Sequence, residues 1–233
     1  MKGFFKSSIG KKLVMSVSGL FLILFLLFHM CMNMAAVFSA EGYNKVCEFL
    51  GSNWYAVAGT MVLAAGFLFH IIYAFVLSIQ NRKARGNDRY DNQNLPKGVE
   101  WSSKNMLVLG IIVLCGLGLH FAQFWTKMMY AELAGCEEAV EGFKATVGFE
   151  KTPAVDGAAW INYYFSQWYF VVIYLVWFAA IWFHLNHGFW SAFHTLGASN
   201  SKWIPRLKCI STVFTTVVMA GFALVVLVAF FRA

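Results

Sequence analysis

Five apolar runs, each long enough to cross a membrane as a helix, account for most of this 233-residue chain. A helix needs about 20 apolar residues to span the hydrocarbon core. Only 12% of the residues are charged, roughly half the share in a soluble domain. The sequence therefore predicts an all-α protein, an integral membrane bundle of five transmembrane helices that forms a single domain over residues 1–233. The predicted spans are about 13–37, 54–78, 105–129, 165–189 and 209–231.

Lysine and arginine residues are distributed unevenly among the connections between these runs. Thirteen of the 18 fall in the amino terminus or in the second and fourth connections. The remaining segments hold five basic residues and eight of the 11 acidic residues. By the positive-inside rule, this predicts a cytoplasmic amino terminus and a carboxyl terminus outside. The net charge of +7 thus reflects topology, and no basic face interleaved with aromatic residues predicts binding to nucleic acid.

Each of the first four runs contains a histidine well inside it (His29, His70, His120 and His184), where burying an imidazole is costly unless it pairs or binds something. With a helical rise of about 1.5 Å per residue, His29 and His120 lie roughly 23 Å from the cytoplasmic ends of their helices. By the same measure, His70 lies about 12 Å and His184 about 8 Å from that face. The four histidines therefore form an outer pair, His29 with His120, and an inner pair, His70 with His184.

Two imidazoles at one depth on different helices suit the two axial positions of a haem iron. We therefore predict that the four histidines are the axial ligands of two haem groups, stacked about 10 to 15 Å apart across the membrane. A flat macrocycle also needs room beside its ligand, and small residues provide it. Gly66, Gly116 and Gly188 each lie four residues from a histidine of the set, so we expect gaps there.

Other interpretations of the histidines remain open. His187, three residues after His184, competes with it as the inner ligand, and His194 lies in a predicted cytoplasmic connection. The four buried rings could instead be structural, hydrogen-bonded to serine, asparagine or carbonyl groups. A proton- or ion-coupled transporter is disfavoured, because the predicted spans contain no aspartate, glutamate or interior proline.

The five cysteines show neither C-x-x-C nor C-x-x-C-H, so the sequence predicts no thiolate metal site and no covalently attached haem. Cys31, Cys115 and Cys209 lie in apolar runs and are expected to act as small apolar residues. Cys47 and Cys136 both fall in connections predicted to lie outside, where a disulfide between them is an open alternative.

These features together resemble the di-haem cytochrome b membrane anchor of succinate:quinone oxidoreductases, the family of succinate dehydrogenases and fumarate reductases. The resemblance covers nearly the whole chain, with five spans and one histidine in each of the first four. Four histidines rather than two are typical of the di-haem branch, which resembles the menaquinone-using kind. The closest matches are Ser18-Gly19-Leu20 leading to His29 and Asn33, Tyr43-Asn44-Lys45, and the segment from Phe183 to Trp190.

The resemblance implies two haem b groups, with iron held by His29 and His120 in one and by His70 and His184 in the other. It also implies a flavoprotein subunit and an iron–sulfur subunit on the cytoplasmic face of a bacterial inner (cytoplasmic) membrane. Electrons would pass between these subunits, the two haems and menaquinone or another quinone. The chain would then belong to an oxidoreductase without performing the dicarboxylate chemistry itself.

An acidic residue is expected at an outer quinone site in the family that the chain resembles. Glu41 and Glu48 follow the first span on that side and are the candidates, with solvation at the surface as the alternative for each. Two other functions also remain open for the chain as a whole. A cytochrome b subunit of a hydrogenase or formate dehydrogenase would keep both haems and change the partner. A non-haem membrane transporter or assembly factor would leave the histidines without iron.

Overall fold

The structure, a computed structural model, describes residues 7–51, 53–84, 100–134 and 154–233, and within these ranges it contains helices and turns but no strand. The all-α prediction is therefore confirmed. A π-helical turn, Phe121–Trp125, directly extends one of the helices. In chain order the α-helices are α1 Ser8–Asn33, α2 Ala35–Phe38, α3 Ala40–Phe49, α4 Trp54–Ala84, α5 Trp101–Lys104, α6 Met106–His120, α7 Met129–Leu133, α8 Gly157–Phe165, α9 Trp168–Thr195 and α10 Trp203–Arg232.

Five helical segments are long and apolar enough to cross a membrane, as the sequence predicts. We call the side of the bundle on which α1 begins the N-side; it also holds α5 and the connection between α9 and α10. The opposite side, the C-side, holds α2, α3, α7 and α8. The five segments are Ile9–Phe38, Trp54–Ala84, Met106–Trp125, Trp168–Thr195 and Trp203–Arg232.

The last two membrane helices are longer on the N-side than predicted. α9 continues through Gly188 to Thr195 and ends just before Gly197, whose φ of 111° belongs to the left-handed region that glycine adopts readily. α10 begins at Trp203 and accommodates Pro205 in its first turn, where the missing amide hydrogen costs no helical hydrogen bond. The connection between the two helices is consequently short.

The core lies where α9 and α10 pack against each other and against α1 and α8. Val218, Thr215 and Ser211 of α10 are fully buried there. Aromatic rings fill the space beside them, and Phe178 of α9 stacks on Phe222 of α10 with ring centroids 5.7 Å apart. α9 is therefore the helix around which the other elements are arranged, and it carries His184.

The second membrane helix, α4, is peripheral. None of its described side chains is buried, and it packs mainly along α1. Large apolar side chains such as Met61, Leu68 and Ile72 are 60% or more exposed. In a helix whose backbone groups are hydrogen-bonded internally, such a surface suits contact with lipid chains. The fold is therefore that of a multi-pass membrane protein.

Short helices on the C-side are held together by a polar cluster. The Asn44 side chain donates to Asp156 Oδ1 (2.8 Å) and accepts from the backbone N–H of Ala158 (2.9 Å), which joins α3 to the start of α8. Cys47 packs against Gly157, and burial raises the pKa of its thiol to about 11. Cys47 is therefore a protonated packing residue. Its alternative disulfide partner, Cys136, lies outside the described residues.

Candidate metal centre

The structure brings His29 of α1 and His120 of α6 into direct proximity. Their ring centroids are 5.8 Å apart, and the ring planes are nearly perpendicular at 85°. Two imidazoles that bind one metal from opposite sides through bonds of about 2 Å have ring centres roughly 6 Å apart. The spacing of this outer pair therefore fits two axial ligands of a single iron.

Aromatic side chains surround the outer pair. Phe25 stacks on His29 with centroids 5.4 Å apart, and Phe222 lies 5.6 Å from the same ring. On the other side, Phe124 and Trp177 lie 5.2 and 5.9 Å from the His120 ring. This apolar environment favours a large, flat, apolar ring over a hydrated ion.

The inner histidines each lie against a neighbouring helix at a glycine. A Cβ atom added to Gly19 of α1 would be 3.5 Å from the His70 ring, and one added to Gly110 of α6 would be 3.5 Å from the His184 ring. Small residues on α1 and α6 thus allow both inner rings to enter the bundle.

The depth of the two pairs can be measured along α1 and α6. Ten residues separate Gly19, beside His70, from His29 on α1, and ten separate Gly110, beside His184, from His120 on α6. At a rise of about 1.5 Å per residue, both intervals are about 15 Å. His70 and His184 therefore share one level, about 15 Å closer to the N-side than the outer pair.

Two of the three expected glycine gaps are absent. Phe21 lies against Gly66, and the indole of Trp177 lies directly on Gly116, so the prediction of open space is wrong at both positions. The physical reason is that aromatic side chains of α1 and α9 fill the grooves that these glycines create. Gly188 has open space beside it, as predicted.

A hydrogen-bonded pair next to His120 was not predicted from the sequence. The Tyr174 hydroxyl donates to Gln123 Oε1 (2.7 Å) and lies 3.4 Å from His120 Nδ1. Gln123 belongs to the π-helical turn and is 4% exposed, and such turns occur frequently at functional sites. A glutamine three residues after a histidine within an apolar span was the signal available in the sequence.

His29 is linked to the C-side through Asn33. The Asn33 amide donates to the backbone oxygen of His29 (2.8 Å), and its nitrogen lies 3.5 Å from each ring nitrogen of His29. The Tyr43 hydroxyl of α3 donates to Asn33 Oδ1 (3.1 Å). The short helix α3 therefore fixes the asparagine that covers the His29 ring.

The two remaining histidines lie on the N-side. His194 is exposed near the end of α9. His187 Nδ1 lies 3.5 Å from Glu100 Oε2, and the Lys208 ammonium lies 2.6 Å from Glu100 Oε1. Glu100 and Lys208 border a cleft of about 250 Å³ whose aromatic lining is Trp101, Trp182, Phe183 and Trp190. His187 Nδ1 thus lies within ion-pair distance of a carboxylate, but among the described residues neither it nor His184 Nδ1, both buried, has a hydrogen-bond partner.

The ion pair of Glu100 is expected to make stability depend on pH. Burial alone would raise the pKa of Glu100, but Lys208 and then His187 outweigh it and hold this pKa below its usual value. A carboxyl whose pKa is lower in the folded state adds stability above its unfolded pKa and loses it as the pH falls through the folded pKa. We expect Glu100→Gln to lower the free energy of unfolding near neutral pH by about 0.2–1 kcal/mol.

Unfolding measured in detergent, once near neutral pH and once below the folded pKa of Glu100, tests this. In acid the variant and the wild-type chain should unfold alike, because Glu100 is then protonated in both states. An equal deficit in the variant at both pH values would contradict the ion-pair explanation.

The predicted quinone-site acids are on the surface of α3. Glu41 is paired with Lys45 (2.7 Å), with 80% of its side chain exposed, and Glu48 is exposed as well. A third carboxylate on the C-side, that of Glu132 in α7, is only half-exposed and lies against Gly51. No sequence pattern singled out Glu132, because its partial burial depends on tertiary packing.

Within the described ranges, no three histidine, cysteine or acidic side chains converge to hold a metal ion by themselves. A haem needs fewer protein ligands than a bare metal ion, because its ring supplies four nitrogen ligands and leaves only two axial positions for side chains. The outer pair fits that requirement. Comparisons of the chain with protein-family models, with curated proteins and with solved structures find no match, so the function is argued from the histidine geometry.

Proposed function

We propose that this chain carries electrons across a membrane through two haem b groups, one held by His29 and His120 and the other by His70 and His184. The observation that carries the proposal is the 5.8 Å separation of the His29 and His120 rings inside an apolar bundle. The common level of His70 and His184, about 15 Å away along two different helices, supports a second centre. When bound, a haem supplies reversible one-electron chemistry.

The protein's own contribution is to bind, space and insulate the two groups. Aromatic rings around the outer pair keep water from the centre, and Gly19 and Gly110 admit the inner rings. Burial in apolar surroundings stabilises the less charged state of an iron centre, and it thereby tunes the potential. The two levels would together make a conductive path between the N-side and the C-side.

We further propose that the chain is the membrane anchor of a succinate dehydrogenase or fumarate reductase, whose other subunits are its partners. The N-side, which holds most of the lysines and arginines that the structure describes, would face the cytoplasm and meet an iron–sulfur subunit that is attached to a flavoprotein. The inner pair is nearer that side. The outer pair would exchange electrons with menaquinone or another quinone, with Glu41 and Glu48 as candidate proton-exchanging groups on the C-side.

An absorption spectrum of the purified chain is the decisive experiment. A reduced-minus-oxidised band of the b type with about two haems per chain is expected, and a colourless chain would overturn the proposal. Purification from its native membrane tests the partners separately. Flavin- and iron–sulfur-bearing polypeptides that reduce the haems with succinate are expected. Co-purification of a hydrogenase or formate dehydrogenase instead would agree with the two haems but would overturn the proposed partner.

A further inference from the structure

We propose that Ser18 and Tyr174 are positioning residues that fix the tautomers of His70 and His120, so that each ring presents Nε2 to its metal. The inference rests on the proposed function, since it assumes that these histidines bind metal. It goes further by assigning roles to two residues outside the ligand set and by naming the ring nitrogen that binds. It follows from counting the protons of two hydroxyl groups.

A hydroxyl group has one hydrogen to donate and two lone pairs that accept. The Ser18 hydroxyl donates its hydrogen to the backbone oxygen of Met15 (3.1 Å). Towards His70 Nδ1, which lies 3.0 Å away, it can therefore only accept. His70 Nδ1 must carry the ring proton, and the lone pair is then on Nε2.

The same count applies to His120. The short contact of 2.7 Å commits the Tyr174 hydrogen to Gln123 Oε1, so the phenol oxygen faces His120 Nδ1 as an acceptor at 3.4 Å. The π-helical turn that begins at Phe121 holds Gln123 in this place, buried and facing α9. His120 therefore also carries its proton on Nδ1 and presents Nε2.

The other member of each pair lacks such an acceptor. His29 is covered by the Asn33 amide, and His184 Nδ1 has no hydrogen-bond partner among the described residues. Each pair thus contains one imidazole whose tautomer is fixed by a hydroxyl group and one whose tautomer is not. An imidazole that donates its second N–H is a more basic ligand, so each hydroxyl should lower the reduction potential of its own centre and strengthen its binding.

Potentiometric titration of the full-length chain, followed at the haem absorption bands, tests the assignment. We expect Ser18→Ala to raise the midpoint of one haem and to weaken its retention about 10- to 100-fold. Ser18→Thr keeps the hydroxyl and should behave as the wild-type chain. Tyr174→Phe should raise the midpoint of the other haem, whereas Tyr169→Phe, an exposed tyrosine of the same helix, should change neither.

Gln123→Met provides a second variant for the outer centre, because it removes the acceptor of the Tyr174 hydrogen. It should shift the same haem as Tyr174→Phe. Equal behaviour of Ser18→Ala and Ser18→Thr, or of Tyr174→Phe and Tyr169→Phe, would overturn the inference, and so would a downward shift. A wild-type chain that holds no haem would instead overturn the proposed function, and this inference with it.

Discussion

We expect His120→Ala to halve the haem content of the purified chain, with the loss of the outer haem and retention of the inner one. In this variant His29 would be the only axial ligand left, and the bond between the iron and α6 would be missing. The second centre is about 15 Å away along the helices and shares no ligand with the first, so its binding should be independent. Pyridine haemochrome measurement of haem per chain, together with the reduced-minus-oxidised spectrum, checks both parts.

The companion variants should separate into two classes. His29→Ala should reproduce the spectrum of His120→Ala, whereas His70→Ala and His184→Ala should both remove the inner haem. His194→Ala is the matched control, because that ring is exposed on the N-side. If His187→Ala removed the inner haem and His184→Ala did not, the choice of inner ligand would be wrong.

The second large effect is expected at Gly116, where a single methyl group should destabilise the bundle. The Trp177 indole lies on this glycine, and its Nε1 donates to the backbone oxygen of Val113 (3.1 Å), which fixes the ring in place. A Cβ at Gly116 overlaps the indole, and relieving such overpacking costs about 1–3 kcal/mol. Unfolding of Gly116→Ala by increasing SDS in mixed micelles, followed by circular dichroism, measures the loss.

Gly118→Ala is the matched control for this effect, since it lies on the same helix two residues later. A Cβ added at Gly118 has nothing within 4 Å. Replacing an unconstrained helical glycine with alanine stabilises by up to about 1 kcal/mol. The two variants should therefore shift stability in opposite directions, and equal shifts would contradict the packing that we describe around Trp177.

The vertical arrangement of the histidines could be predicted from the sequence, because the rise of a helix is constant. Counting residues from the span boundaries was enough to pair His29 with His120, and the structure places these rings side by side. The same count put His70 and His184 at similar depths, in agreement with their contacts to Gly19 and Gly110.

The rotation of each helix about its own axis could not be predicted in this way. It decides whether the space beside Gly116 is open or filled by Trp177, and whether the hydroxyl of Tyr174 reaches His120. The spans are apolar on all sides, so the sequence shows no polar face that would fix the rotation. Gln123 adds a further difficulty, because the π-helical turn places it differently from a residue of a continuous α-helix.

The helix that supplies His70 is also the one least secured to its neighbours, since no described side chain of α4 is buried. A metal shared by His70 and His184 would therefore join α4 to α9, two helices whose side chains pack mainly on other partners. If the proposed function holds, cofactor insertion would therefore secure α4 to the rest of the bundle. The prosthetic group would then serve the architecture as a cross-link, in addition to its role in electron transfer.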